Sequence, residues 1–166
     1  MRLKSPTCDE LAHHIPVGYV LLEKGDLQMD PSQPPLARYL AALPLKLFMN
    51  VDMPDDIEQW RREDRGEYGK DFFYVYNREP HRMIFYSRCV FVAVGVLCGI
   101  LIFVAARAFY SVKAAIFSLF LYSFSPNILA HTRLATTDMT SAFTIVLSVF
   151  TFWLFVKKGS MSRLFL

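Results

Sequence analysis

The second half of this 166-residue chain contains three long apolar runs that a small soluble fold could hardly cover. Cys89–Ala106 and Met139–Val156 contain no charged residue, and Ala114–Ala130 follows directly after Lys113. A bilayer core about 30 Å thick needs roughly 20 apolar residues in helical form. The alternative is a soluble protein with three buried helices, but little polar surface would remain to enclose them. We therefore predict an all-α, polytopic membrane protein. The predicted transmembrane helices cover about 84–106, 112–130 and 138–156.

The basic residues beside these runs predict the orientation of the spans. Arg107 and Lys113 lie between the first and second runs, and Lys157 and Lys158 follow the third. Short basic loops mark the cytoplasmic side of a membrane, so residues 1–83 should lie on the opposite side. An external N-terminal segment must be exported, yet the first residues lack the apolar core of a signal peptide. We therefore expect the chain to be a fragment that follows at least one further span, and to be inactive without the spans that it lacks.

Residues 1–83 are expected to form a large external loop with two interfacial amphipathic helices and a charged segment. Asp9 could cap the first of these helices, with Glu10 in its first turn. Leu36–Phe48 is apolar on most faces but too short to span, which is typical of a helix in the membrane interface. An ordinary soluble amphipathic helix remains the alternative for the first one. The aromatic run Phe72–Tyr76 predicts a belt at the lipid headgroups or, less simply, a substrate platform.

Ionisable side chains gather at the predicted external ends of the spans and in the external loop. The set comprises Asp9, Glu10, Arg88, His131, Arg133 and Asp138. A carboxylate can take a proton from an attacking hydroxyl, and arginines can hold a phosphate leaving group. A lipid-linked phosphosugar would present such a group at the membrane surface. The alternative is that Arg88 and Arg133 reach towards lipid headgroups and that Asp138 only caps its helix.

Two ordered motifs connect this chemistry to a known family. The first runs from Asp9-Glu10 through His13, Gly18-Tyr19 and Gly25-Asp26 to Pro34-Pro35-Leu36. The second runs from Tyr122 to Asp138 and includes Pro126-Asn127, His131 and Arg133. Together they resemble the first external loop and the third-to-fourth helix link of integral-membrane GT-C glycosyltransferases. The likeness is greatest to the protein O-mannosyltransferase and aminoarabinose-transferase group.

The resemblance implies an enzyme that moves a sugar from a polyprenyl-phosphate donor to an acceptor hydroxyl. The acceptor, whether protein, lipid or glycan, stays open, and the site would face outward from a prokaryotic plasma membrane. In this family the catalytic acidic pair falls on Asp9 and Glu10, with Asp9 as the base that activates the acceptor and Glu10 assisting its position or the proton transfer. Arg88 and Arg133 would hold the donor phosphate. The residues that would orient the site are Asp138, His131 and His13.

Several alternatives remain open at this stage. Relatives often carry an acidic residue, His or Lys just before Pro-Pro, where this chain has Ser32-Gln33, which weakens the expectation of a metal contact. His13, His14 and His131 could ligate a divalent metal, although single histidines more often only form hydrogen bonds. A non-catalytic membrane scaffold or pseudoenzyme is the alternative function. A transporter fits less well because its site would lie near the bilayer midplane. The net charge of +3 gives no reason to expect nucleic acid as a partner.

Overall fold

The computed structural model describes residues 5–27, 29–53 and 65–158, so residues 54–64 of the charged segment lie outside it. The described residues form helices and no strand, which confirms the predicted all-α fold. The helices are α1 (Ile15–Lys24), α2 (Pro35–Phe48), α3 (Arg65–Lys70), α4 (Pro80–Phe109), α5 (Val112–Phe124), α6 (Pro126–Thr132) and α7 (Thr137–Lys158). Two π-helical turns are also present, Glu10–His14 before α1 and Asp71–Tyr76 after α3.

The chain divides into two compact units. The first comprises Met1–Val92 together with Arg133–Thr137, and the second comprises Ala93–Thr132 and Asp138–Leu166. The first unit therefore contains the acidic pair and the start of α4. It also contains the short segment that leads into α7.

The core of the first unit forms where α1 packs against α2. Ile15 and Val20 of α1 and Ala41 and Leu45 of α2 are completely buried. Gly18 makes this packing close, because a Cβ at that position would collide with the backbone carbonyl of α2. The small side chains on both helices thus set the distance between them.

The start of the first helix differs from the expectation that Asp9 caps it. Asp9 has helical backbone angles and makes no side-chain capping hydrogen bond. The capping residue is instead Thr7, whose backbone N–H donates to Glu10 Oε2 at 2.9 Å, while its hydroxyl accepts from the Glu10 N–H at 3.3 Å. This reciprocal arrangement is a capping box, which satisfies backbone donors that the helix start leaves without intrahelical partners.

The aromatic run at Phe72–Tyr76 lies partly in the core and partly at the surface. Phe72 and Phe73 are completely buried in the core of the first unit, so the expectation that the whole run touches lipid headgroups was wrong for them. Their rings meet edge to face with centroids 5.5 Å apart, a favoured aromatic geometry. Tyr74, Val75 and Tyr76 are exposed and remain consistent with an aromatic belt.

The second unit consists of apolar helices. By length and composition, α4 and the stretch Thr137–Lys157 of α7 could each cross a membrane. A third candidate exists if α5 and α6 count as one span that bends by 65°. The bend occurs at Pro126, whose ring would clash with the preceding turn if the helix continued, and Ser125 before it is extended. Whether three spans occupy the predicted limits stays a prediction.

Close packing inside the second unit depends on a glycine and a tyrosine. The Tyr122 hydroxyl donates a hydrogen bond to the Gly95 carbonyl at 2.7 Å. A Cβ on Gly95 would collide with the side chain of Thr132, so only glycine fits there. These contacts join α4 to α5 and α6.

Candidate active site

A buried ion pair joins the acidic motif to the first apolar helix. Arg88 donates from Nε to Glu10 Oε1 at 2.8 Å and from Nη2 to Glu10 Oε2 at 2.6 Å. The exposed fractions of the two side chains are 3% and 0%. Two parallel hydrogen bonds between a guanidinium and a carboxylate fix both groups in orientation as well as in position. The two residues are 78 positions apart in the chain.

Glu10 also holds the segment between α6 and α7. The backbone N–H of Ala135 donates to Glu10 Oε1 at 2.9 Å, and both residues are buried. Burial raises the pKa of Glu10, but hydrogen bonds from Arg88, Ala135 and Thr7 outweigh it, so the pKa lies below its usual value. Glu10 is therefore ionised at neutral pH and ties three parts of the first unit together.

Asp9 is next in sequence to Glu10 of this ion pair and reaches the surface. Its side chain is exposed, whereas Glu10 next to it is fully buried. Consecutive residues of a helix face different directions, so the pair divides into one accessible and one buried carboxylate. The accessible one is suited to meet a substrate, and the buried one is suited to fix the backbone beneath it.

Arg133 belongs to the same unit as the acidic pair. It is exposed and lies two residues before Ala135, whose N–H is bonded to Glu10. Two peptide units span at most about 7 Å, so the Arg133 backbone lies within that distance of Ala135. The structure thus brings Asp9, Glu10, Arg88 and the backbone of Arg133 into one unit.

His131 and Asp138 form a separate exposed pair in the second unit. His131 Nδ1 lies 3.2 Å from Asp138 Oδ2, and about half of each side chain is exposed. The pairing makes Asp138 a partner of His131. That Asp138 lies near the same membrane face as Asp9 stays a prediction.

A second buried charge cluster was not predicted from the sequence. His13 Nδ1 lies 2.9 Å from Asp30 Oδ2, and Arg38 Nη2 lies 2.7 Å from the same oxygen. The sequence interpretation took Asp30-Pro31 only as a turn, and Asp30 does accept a turn hydrogen bond from the Ser32 N–H at 3.0 Å. The turn signal could not reveal that the other oxygen, Oδ2, contacts His13 and Arg38.

The described part of the chain contains no group of three or more His, Cys, Asp and Glu side chains close enough to hold a metal ion. His14 is buried, whereas His131 is exposed and paired with Asp138. The histidines considered as possible ligands, His13, His14 and His131, therefore form no such group among these residues.

Comparison with protein families decides the classification. Residues 81–166, slightly more than half of the chain, match the dolichyl-phosphate-mannose-protein mannosyltransferase family. The chain belongs to this family. The resemblance to protein O-mannosyltransferases is thereby confirmed at family level, and the protein is of the membrane glycosyltransferase type that the family represents. No curated protein and no solved structure matches the chain significantly.

The family match covers part of the candidate site. Arg88, His131, Arg133 and Asp138 lie inside the matched residues, whereas Asp9 and Glu10 lie before them. Glu10 is nevertheless bonded to Arg88 and to Ala135, which are both in the matched region. The acidic motif is thus physically attached to the part of the chain that carries the family signature.

Proposed function

We propose that the protein transfers a sugar from a polyprenyl-phosphate-linked donor to an acceptor hydroxyl at the external face of a prokaryotic plasma membrane. The family name itself specifies dolichyl phosphate mannose as donor and protein as acceptor. The observation that carries the proposal is the Glu10–Arg88 pair, because it leaves Asp9 accessible on a rigid base. The aminoarabinose-transferase likeness keeps other sugars and lipid or glycan acceptors within the proposal.

Asp9 acts as the general base in this proposal. It takes the proton from the acceptor hydroxyl as the oxygen attacks the anomeric carbon of the sugar. Glu10 does not compete for this role, because its two oxygens are occupied by Arg88, Ala135 and Thr7. Glu10 instead fixes the backbone that carries Asp9, which keeps the base in one position.

Arginine side chains stabilise the phosphate that leaves. Arg133 is exposed and can approach a donor freely. Arg88 uses Nε and Nη2 for Glu10, so its contribution to phosphate binding would come from Nη1. Charge-assisted hydrogen bonds of this kind stabilise negative charge that develops in the transition state. Asp138, with His131, is proposed to orient Arg133 or the acceptor.

The proposed location follows from the charges beside the apolar helices. Arg107 and Lys113 flank the connection between α4 and α5, and Lys157 and Lys158 end α7. Short basic segments favour the cytoplasmic side, which leaves residues 1–83 and the His131–Asp138 connection outside. An external site is reached by lipid-linked donors in the outer leaflet.

The test is transfer of labelled sugar in membranes from cells that express the protein from its own gene. Asp9→Asn should lower the rate at least about 100-fold, the lower range for loss of a general base, with an unchanged amount of protein in the membrane. Asp52→Asn is the matched control, because Asp52 is also an exposed aspartate and bonds Asn77 through its backbone. A wild-type rate in Asp9→Asn would remove Asp9 from the mechanism. Absence of transfer by the wild-type protein would favour a non-catalytic scaffold.

A further inference from the structure

The charge cluster around Asp30 has the geometry of a group that handles protons. The Asp30 side chain is completely buried, and its Oδ2 contacts both His13 Nδ1 at 2.9 Å and Arg38 Nη2 at 2.7 Å. The side chain of His13 is 28% exposed, so part of the imidazole reaches solvent while its Nδ1 faces the carboxylate. The imidazole thus meets a fixed charge at Nδ1 and is partly open to solvent, with which a proton can be exchanged.

Arg38 holds both other members of the cluster in place. It donates from Nε to the His13 carbonyl at 3.1 Å and from Nη1 to the Asp30 carbonyl. Asp30 Oδ1 in turn accepts from the Ser32 backbone N–H at 3.0 Å and from its hydroxyl. Every one of these groups is bound at more than one point, which is the support that a precise site requires.

The Asp30 carboxylate stays charged over the physiological pH range. Burial raises its pKa, but hydrogen bonds from Ser32 and His13 and the charge of Arg38 outweigh that effect and hold the pKa well below its usual value. An ionised carboxylate can only accept hydrogen bonds, so His13 must donate from Nδ1. The basic nitrogen of the neutral imidazole is therefore Nε2. A proton that arrives there gives an imidazolium whose Nδ1–H still donates to Asp30, the arrangement that orients histidine in hydrolase triads.

We expect His13 to lie on the same side of its helix as Asp9. The two residues are four positions apart, the spacing that brings side chains together on a helix surface. Exposure agrees with this, because Asp9 and His13 reach solvent while Glu10 and His14, each one position later, are buried. The intervening turn is π-helical, a rare conformation that occurs frequently at functional sites.

Resting on the proposed function, we infer that His13, positioned by Asp30 and Arg38, is the relay that receives the acceptor proton from Asp9. The acceptor oxygen bonds to the anomeric carbon as the bond from that carbon to the phosphate oxygen breaks, and the electron pair leaves with the phosphate. The hydroxyl proton moves to the Asp9 carboxylate. It then passes to Nε2 of His13, which restores the carboxylate, and the imidazolium releases it to water. No cofactor is consumed.

The test uses chemical rescue, which a merely structural role would not show. His13→Ala should lower steady-state transfer at least tenfold in the same membranes, and added imidazole should restore most of the rate by replacing the missing base. His81→Ala is the control, because His81 is an exposed histidine at the start of α4, and its rate should not change with or without imidazole. His13→Gln, whose amide can still donate to Asp30 but cannot carry a proton, should be as slow as His13→Ala.

Each outcome separates the relay from the function it serves. A wild-type rate in His13→Ala or His13→Gln, with Asp9→Asn inactive, would reject the relay and leave the glycosyltransferase proposal intact. Slow turnover that imidazole does not restore would also reject it, because the loss would then reflect structure. Undiminished transfer in Asp9→Asn would overturn the underlying mechanism instead. If His13→Ala fails to fold, His13→Gln decides alone: transfer at least tenfold below wild type supports the relay, and full activity rejects it.

Discussion

Arg88 binds both carboxylate oxygens of Glu10, at 2.8 Å and 2.6 Å, although 78 residues separate them in the chain. Their partners extend the connection to the backbone of Ala135, so one carboxylate fixes the starts of two helices and the segment before a third. Asp9 is the exposed neighbour of Glu10, so the same bonds hold the backbone that carries it. The base proposed at Asp9 would thus be accessible to substrate and held on a fixed backbone, which is the support that a precise site requires.

Loss of the buried ion pair should destabilise the first unit. Glu10→Gln leaves the Arg88 charge buried without a counter-ion, and breaking such a pair costs about 3 kcal/mol or more. The midpoint of thermal unfolding of the purified protein in detergent should fall accordingly. Glu79→Gln is the matched control, because Glu79 and Arg82 are also 2.6 Å apart but about half exposed. Exposed pairs contribute little, so this midpoint should not change measurably; equal effects of both variants would contradict a structural role for Glu10.

Acid should destabilise the first unit within a defined pH range. The pKa values of Glu10 and Asp30 are lower in the folded protein than their usual values of 4.5 and 3.8. The unfolded chain therefore binds more protons than the folded chain as the pH falls, and stability is lost in that direction. We expect stability to be constant between about pH 7 and pH 5 and to decrease below about pH 4.5. Measuring the midpoint of thermal unfolding at a series of pH values checks this. In Glu10→Gln the midpoint should depend less steeply on pH at acid pH. An unchanged dependence would show that Glu10 is not responsible.

The fold class was predictable because three apolar runs leave few alternatives, but the pairing of charges was not. Sequence indicated Glu10 and Arg88 as separate site residues with separate roles. Only packing of the first π turn against the start of α4 makes them partners. The same limit applies to Asp30, since its turn-forming oxygen has a local signature, whereas its contact with His13 depends on the tertiary fold. The partners of a long-range ion pair have no fixed spacing in the sequence, so the sequence alone does not reveal the pairing.

Local signals were present but assigned to the wrong residue at the helix start. Thr7-Cys8-Asp9-Glu10 has the Thr-x-x-Glu spacing of a capping box, and the structure uses it in that way. For the aromatic run at Phe72–Tyr76, in contrast, the sequence contains no signal that separates its two environments. Apolar composition cannot distinguish a ring that faces lipid from one that faces a core, and here the run does both.

Close contact between α1 and α2 predicts the effect of a single methyl group. In Gly18→Ala the new Cβ would meet the backbone carbonyl of Arg38, which cannot rotate away. Overpacking of this kind costs about 1–3 kcal/mol, and α2 would have to shift. Because α2 carries Arg38, we also expect weaker contacts between Arg38, His13 and Asp30. The midpoint of thermal unfolding and the transfer rate should both decrease.

Gly25→Asn provides the comparison for that variant. Gly25 has φ +68° at the end of α1, and a Cβ there would meet nothing within 4 Å. Asparagine tolerates this left-handed conformation better than most residues, so the change should cost less than about 1 kcal/mol. Equal stability of the Gly18→Ala protein and the wild-type protein would contradict the close approach of the two helices.

Labelling of cysteines tests which side of the membrane carries the proposed site. Cys8 is exposed immediately before Asp9, so a membrane-impermeant maleimide should label it in intact cells if the site is external. Tyr110→Cys, in a background without the three native cysteines, reports on the connection between α4 and α5, where Tyr110 is 80% exposed. The basic residues Arg107 and Lys113 predict that this connection lies in the cytoplasm, so its label should appear only after the cells are permeabilised. The reverse pattern would put Asp9 on the cytoplasmic side, and the proposed reaction at the external face would then be wrong.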